Sequence, residues 1–178
     1  MSCLLVEKTD GALHDVPDPA TGLTPRQKRY VTESWAIVRK DLKTHGRGVL
    51  LAFFTSNPVY IKNFKAFQNM ELSELPGNKK FLAHANAVIY ALTSIVDNLD
   101  ETEVLVEMLR KLGKNHGQRN IEKIQFNRLR FALMEYLKEN LGREVMTPEA
   151  EEAWNEVLDV AFSIIFEGVE LGMKNAIY

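Results

Sequence analysis

Cysteine is almost absent. Cys3 is the only one among 178 residues, which excludes an internal disulfide and a thiolate metal cluster. As a lone residue near the start it reads as a free thiol in a flexible tail, kept reduced in a reducing compartment. Long apolar runs are missing too. None approaches the roughly 20 residues that span a bilayer, so no membrane role is expected. Positive charge is not in excess: 22 Lys and Arg stand against 24 Asp and Glu, a net charge of -2 at pH 7. That balance provides no clustered cationic footprint for nucleic acid. Strand signals are scarce, with no sustained alternation and no hairpin dipeptide between β-branched runs. The opening MSCLLVEKTDG is too short in apolar residues for a signal peptide and lacks the glycine after Met1 that myristoylation requires. The expected setting is the cytoplasm.

What is present is ordinary soluble-domain composition, 46% hydrophobic and 26% charged, in a length that suits one domain with a substantial core. Residues 1–22, with the breaker-rich GALHDVPDPATG, have no sustained period and read as a flexible extension carrying a solvated His14. Helix signals then take over. Thr24-Pro25-Arg26-Gln27 combines an N-cap threonine, a first-turn proline and a capping-box glutamine. Thr147-Pro148-Glu149 repeats the cap and proline, with acidic residues in the first turn. The pattern predicts helices over about 24–41, 44–56, 77–98, 101–116, 120–141 and 148–174, with a short turn from Pro58 and an irregular connection over about 64–76. The fold class is all-α.

The segment 77–98 is apolar on two sides: Phe81, His84, Val88, Leu92 and Ile95 form one stripe, and Leu82, Ile89 and Val96 another. A helix of that kind is buried on two sides. The next long helix descends through Leu105, Leu109 and Leu112 to His116, after which Gly117 reads as a terminator. A histidine on an apolar stripe must be hydrogen-bonded or must coordinate something. Taken singly, each is more often a satisfied structural residue. A pair on two helices can hold a metal-bearing group between them. Two histidines are too few for zinc, whereas haem brings four nitrogens of its own and asks the protein only for axial ligands. A histidine in a last helical turn also lies near carbonyls that can fix its tautomer. Phe64 and Phe67 flank the irregular connection, where rings can stack on a flat group or simply pack the core. Gly46 and Ala85 allow two helices to cross closely, bringing Leu50 towards His84. His45 reads as a helix-start or interhelical hydrogen bonder.

From about Leu23 to Leu171 the chain resembles a globin. HGRGVLLAFFTSNPVYIKNF resembles the second helix through the proline-initiated third helix to the signature phenylalanine, Phe64. FLAHANAV resembles the distal helix, with His84 as distal histidine and Val88 crowding the ligand site. LGKNHGQRNI resembles the segment bearing the proximal histidine, His116. Trp35 and TPEAEEAW, ending at Trp154, are similar to first- and last-helix patterns.

The resemblance implies a globin fold of about seven to eight helices over residues 23–178. It implies haem b (iron protoporphyrin IX) in a pocket lined by Leu50, Phe64, Phe67, His84, Val88, Leu112, His116, Ile121, Phe126 and Leu129. His116 is then the permanent iron ligand, and His84 either hydrogen-bonds a ligand or binds the iron itself. The first state implies reversible binding of dioxygen, CO or NO, for storage, transport or sensing. The second implies a bis-histidyl protein with redox, nitric oxide dioxygenase or nitrite reductase activity. A reductase and a second copy of the chain are partners the family allows. The helix pair beginning HANAVIYAL resembles intracellular invertebrate globins, while the spacing of the histidines and the N-terminal extension resemble cytoglobin and, for the spacing, neuroglobin. Ala87 departs from globins that place a base there for the haem propionates, leaving the propionate partners unassigned.

Overall fold

The computed structural model describes residues 15–175; Cys3 and His14 lie outside them. Among the described residues the chain forms six α-helices and no strand: α1 Pro25–Val38, α2 Leu42–Ser56, α3 Lys79–Asp97, α4 Thr102–Gly117, α5 Lys123–Leu141 and α6 Pro148–Asn175. Short 3-10 segments cover Arg39–Asp41, Pro58–Asn63 and Leu72–Gly77. The all-α expectation holds.

Local chemistry sets the boundaries. The Thr24 hydroxyl accepts from the Gln27 N–H at 3.2 Å, and the Gln27 side chain accepts from the Thr24 N–H at 2.8 Å, closing the expected capping box. The Asp41 carboxylate caps α2 by accepting from the Thr44 N–H at 3.1 Å, so α1 and α2 part there. Asn78 caps α3, accepting from the N–H groups of Lys80 and Phe81. The connection after Phe64 is less irregular than its composition suggests. Glu71 and Glu74 form a capping box that starts the 3-10 segment ending at Gly77.

Two apolar clusters fill the interior. The larger one centres on Trp35 and Trp154, whose ring centroids lie 5.4 Å apart. Trp35 Nε1–H donates to Thr93 Oγ1 at 3.1 Å and Trp154 Nε1–H to Ser34 Oγ at 2.9 Å, so neither buried indole is left unpaired. These contacts tie α1, α3 and α6 together. The smaller cluster, around Phe54, Phe67 and Phe81, supports α2, α3 and the segment between them. Gly46 makes the α2–α3 crossing possible: a Cβ there would stand 2.8 Å from the Ala85 carbonyl oxygen.

Residues 15–23 lead into α1 along a defined path. Asp18 accepts from the N–H groups of Ala20 and Thr21 and from the Thr102 hydroxyl at 3.0 Å, joining this segment to the start of α4. Partial burial pushes the Asp18 carboxyl up, but these donors outweigh it and lower its pKa from 3.8 to about 2. A carboxylate whose pKa falls on folding stabilises the fold above the unfolded value and loses that effect as pH drops through the folded one. Asp18→Asn is therefore expected to weaken the protein at pH 7 and to match it near pH 2. Urea unfolding across this range checks the prediction; a pH-independent deficit contradicts it.

Candidate functional site

α4 packs chiefly on α6, while α3 packs on α2, and α3 and α4 make no substantial contact with each other. The space left between them is a slot with two lobes, of about 400 Å³ and 250 Å³. Both lobes share His84, Val88, His116, Arg119, Phe126 and Leu129. Leu50, Phe64 and Ile121 line the larger lobe, together with Phe53, Tyr60, Asn63 and Gln125. Leu112 lines the smaller one with Ala87, Ala91, Ile95 and Phe162. Thus nine of the ten residues the sequence singles out border one slot. Phe67 lies one layer behind: it is 3% exposed, stacks on Phe64 at 5.1 Å and meets Phe54 and Phe81 edge-on.

His116 occupies the last turn of α4. Its Nδ1 lies 2.8 Å from the Leu112 carbonyl oxygen. A carbonyl can only accept, so Nδ1 carries the proton and Nε2 keeps its lone pair for the slot. Burial lowers the His116 pKa from 6.5; the Leu112 bond acts in the opposite sense and the Arg119 charge adds to the lowering. The ring is therefore neutral at pH 7. Phe126 buttresses it at 5.1 Å.

His84 faces the same slot from α3. Burial again lowers its pKa, followed by the repulsion a protonated His116 would exert and by the Arg119 charge. Phe64 packs edge-on against its ring at 4.9 Å. Among the described residues nothing hydrogen-bonds to this imidazole, so its nitrogens are open to whatever enters. No group of three or more His, Cys, Asp or Glu that could hold a metal ion occurs among the described residues. The donor set fits a flat apolar group with equatorial ligands of its own better than a bare ion.

The globin family model matches residues 47–165, which takes in Leu50, both histidines and the residues that line the slot. The chain belongs to the globin family. It is 29% identical to a globin of Nerita albicilla over 148 residues, covering 83% of this chain and 94% of that one. It is 30% identical to cytoglobin-2 of Danio rerio over 154 residues, covering 85% and 83%. In fold it is similar to the crystal structure of a hexacoordinated heme protein from an anhydrobiotic tardigrade. That match has a TM-score of 0.79 and 24% identity, and covers 86% of this chain and 99% of that one.

Two features of this globin's site differ from what its sequence suggests. α4 ends at Gly117 as expected, but not through a left-handed glycine. Gln118 continues in right-handed geometry, and the chain turns at Asn120 with φ 57°. Gly117 is required instead because a Cβ there would meet the Val169 carbonyl oxygen of α6 at 2.2 Å. The second is Arg119, unremarked in HGQRNI, which borders both lobes from the turn beyond α4. It supplies a cation to the lobe that Ala87 also borders. His45 is as expected: its Nδ1 lies 3.0 Å from the Tyr136 hydroxyl of α5.

Proposed function

We propose that this globin holds haem b in the slot between α3 and α4, where His116 would be the permanent iron ligand, and reversibly binds a diatomic gas beside His84. The observation that carries the reading is the fixed tautomer of His116, which directs an Nε2 lone pair into a slot that His84 also borders. Bound haem would supply an iron centre able to take dioxygen, CO or NO. The chain's own contribution is to orient and exclude. Phe126 and the Leu112 carbonyl hold the His116 ring. Leu50, Phe64 and Val88 keep water from the distal side, and a neutral His84 can donate one N–H to a ligand. Arg119, which has no ion-pair partner among the described residues, suits a propionate. Covalent attachment through thioethers would need a Cys-x-x-Cys-His pair of thiols that the sequence lacks, which favours the b-type group.

A second reading has His84 itself on the metal, with redox, nitric oxide dioxygenase or nitrite reductase activity sustained by a reductase partner. The lack of a hydrogen bond to His84 among the described residues favours it, since no such bond has to break for the ring to reach a metal. The proposed setting for either role is the cytoplasm.

Hemin titration of the purified chain tests the reading. Uptake of one hemin per chain is expected, and a chain that takes up none refutes it. The ferrous, ligand-free spectrum then separates the two states, broad and high-spin for an open site, low-spin for bis-histidine. Arg119→Glu is expected to release hemin about 3–10-fold faster, the scale of a partly exposed ion pair reversed in sign. An unchanged release rate removes Arg119 from propionate binding.

A further inference from the structure

Four glycines interlock α4 and α6. A Cβ added at Gly113 would stand 2.0 Å from the Ile165 carbonyl oxygen, and one at Gly117 2.2 Å from that of Val169. From the other side, a Cβ at Gly168 would stand 2.3 Å from the Arg110 carbonyl oxygen, and one at Gly172 2.2 Å from that of Lys114. The obstructions are backbone atoms, which cannot swing aside as a side chain can. Glycine in a helix costs stability relative to alanine, and α6 carries two of these at positions one turn apart. The close approach is what they provide.

The seam bears on the site through geometry. At about 100° per residue, His116 lies roughly 60° around α4 from Gly113 and 100° from Gly117. One face of α4 therefore seats on α6 while the adjacent face presents Leu112 and His116 to the slot. The His116 ring is tied to its own helix by the Leu112 carbonyl, so ring and helix move as one unit. Nothing comparable restrains His84, whose ring bonds to no described residue.

We propose that Gly113, Gly117, Gly168 and Gly172 are positioning residues for the axial ligand, the α4–α6 seam setting how far His116 Nε2 reaches into the slot and so the strength of its bond to the metal. The proposal rests on the haem reading above. Gly168 and Gly172 border neither lobe themselves, so substitutions there reach His116 through the packing of α6 rather than by direct contact.

The test uses Gly172→Ala, in the last turn of α6 where the chain can splay, and Gly168→Ala as the stronger variant. Gly77→Ala is the control, because a Cβ there meets nothing within 4 Å. In the hemin-free chain, hydrogen exchange of the α4 amides is expected to accelerate about tenfold in the seam variants and to stay unchanged in the control. Unchanged exchange in both seam variants overturns the pinning, whether or not the chain takes up hemin. In hemin-loaded ferrous protein carrying His84→Leu, the seam variants are expected to shift the iron–histidine stretching band in resonance Raman spectra. In a His116→Gly protein supplied with free imidazole, whose ring no longer rides on α4, the same variants are expected to leave the band in place. A band that stays put with His116 present, or moves equally with free imidazole, overturns the positioning role and leaves the seam purely structural. Failure to take up hemin refutes the haem reading instead, through a separate readout.

Discussion

His116→Ala is expected to weaken hemin binding by at least about 100-fold. Altering only the partner that orients a metal-bound imidazole typically costs 10–100-fold, and this substitution removes the imidazole itself. Three contacts go together: the Nε2 donor, the bond from Nδ1–H to the Leu112 carbonyl, and the edge contact with Phe126. The loss is specific to the loaded protein. His116 is only half-buried and its ring borders open slot, so the hemin-free variant is expected to unfold in urea close to the parent. Hemin transfer to an excess of a scavenger protein measures the rate of loss, and a spectrum recorded before transfer reports the coordination. Added imidazole is expected to restore the parent spectrum in His116→Gly, because the vacated volume matches the ligand removed. A variant that retains hemin at the parental rate with an unchanged spectrum excludes His116 as the axial ligand.

The sequence displays His116 because its neighbours repeat with helical period, and the same is true of much that frames the site. Thr24, Gln27, Thr147 and Pro148 mark helix starts through bonds made within a single turn, so a local reading finds them. The two apolar stripes of α3 are legible for a related reason: a helix packed on one side and facing a slot on the other needs apolar residues on both. Gly46 was readable as a crossing point since it interrupts an otherwise apolar helix.

What stayed hidden depends on the path of the chain in space. Phe64 and Phe67 share a segment without period, and only their stacking decides that one borders the slot and the other backs it. Gly117 could equally have served a left-handed turn or a close approach, because both exploit the missing Cβ; the position of α6 chooses between them. Arg119 follows a helix end at no periodic position. Its arrival at both lobes depends on the turn completed at Asn120, which no spacing rule encodes. The Asp18 bond to Thr102 joins residues 84 positions apart and is equally invisible to any local window.

His84→Leu carries the second large effect and separates the two proposed states. A neutral imidazole has one nitrogen that bears a proton and one that bears a lone pair. Burial and the Arg119 charge keep His84 in that form at pH 7, so it can donate to a ligand or bind the metal. If it donates, the lost bond to a partly negative dioxygen is worth about 1.5–3 kcal/mol, which corresponds to about 10–150-fold faster dioxygen dissociation. Oxidation of the ferrous protein is expected to accelerate as well, while CO association changes little. If His84 binds the metal instead, leucine removes a competitor. The ferrous spectrum then turns from low-spin to high-spin, and CO no longer waits for the imidazole to leave, so its association accelerates. Stopped-flow dissociation of dioxygen and flash-photolysis rebinding of CO distinguish the cases in one variant. Leucine approximates the space of the imidazole beside Phe64 and Val88, so a gross change in pocket volume does not account for either result. Unchanged rates in both experiments would exclude His84 from both roles. A faster exit assigns this globin to reversible gas binding, and a faster entry to chemistry at a site its own side chain ordinarily closes.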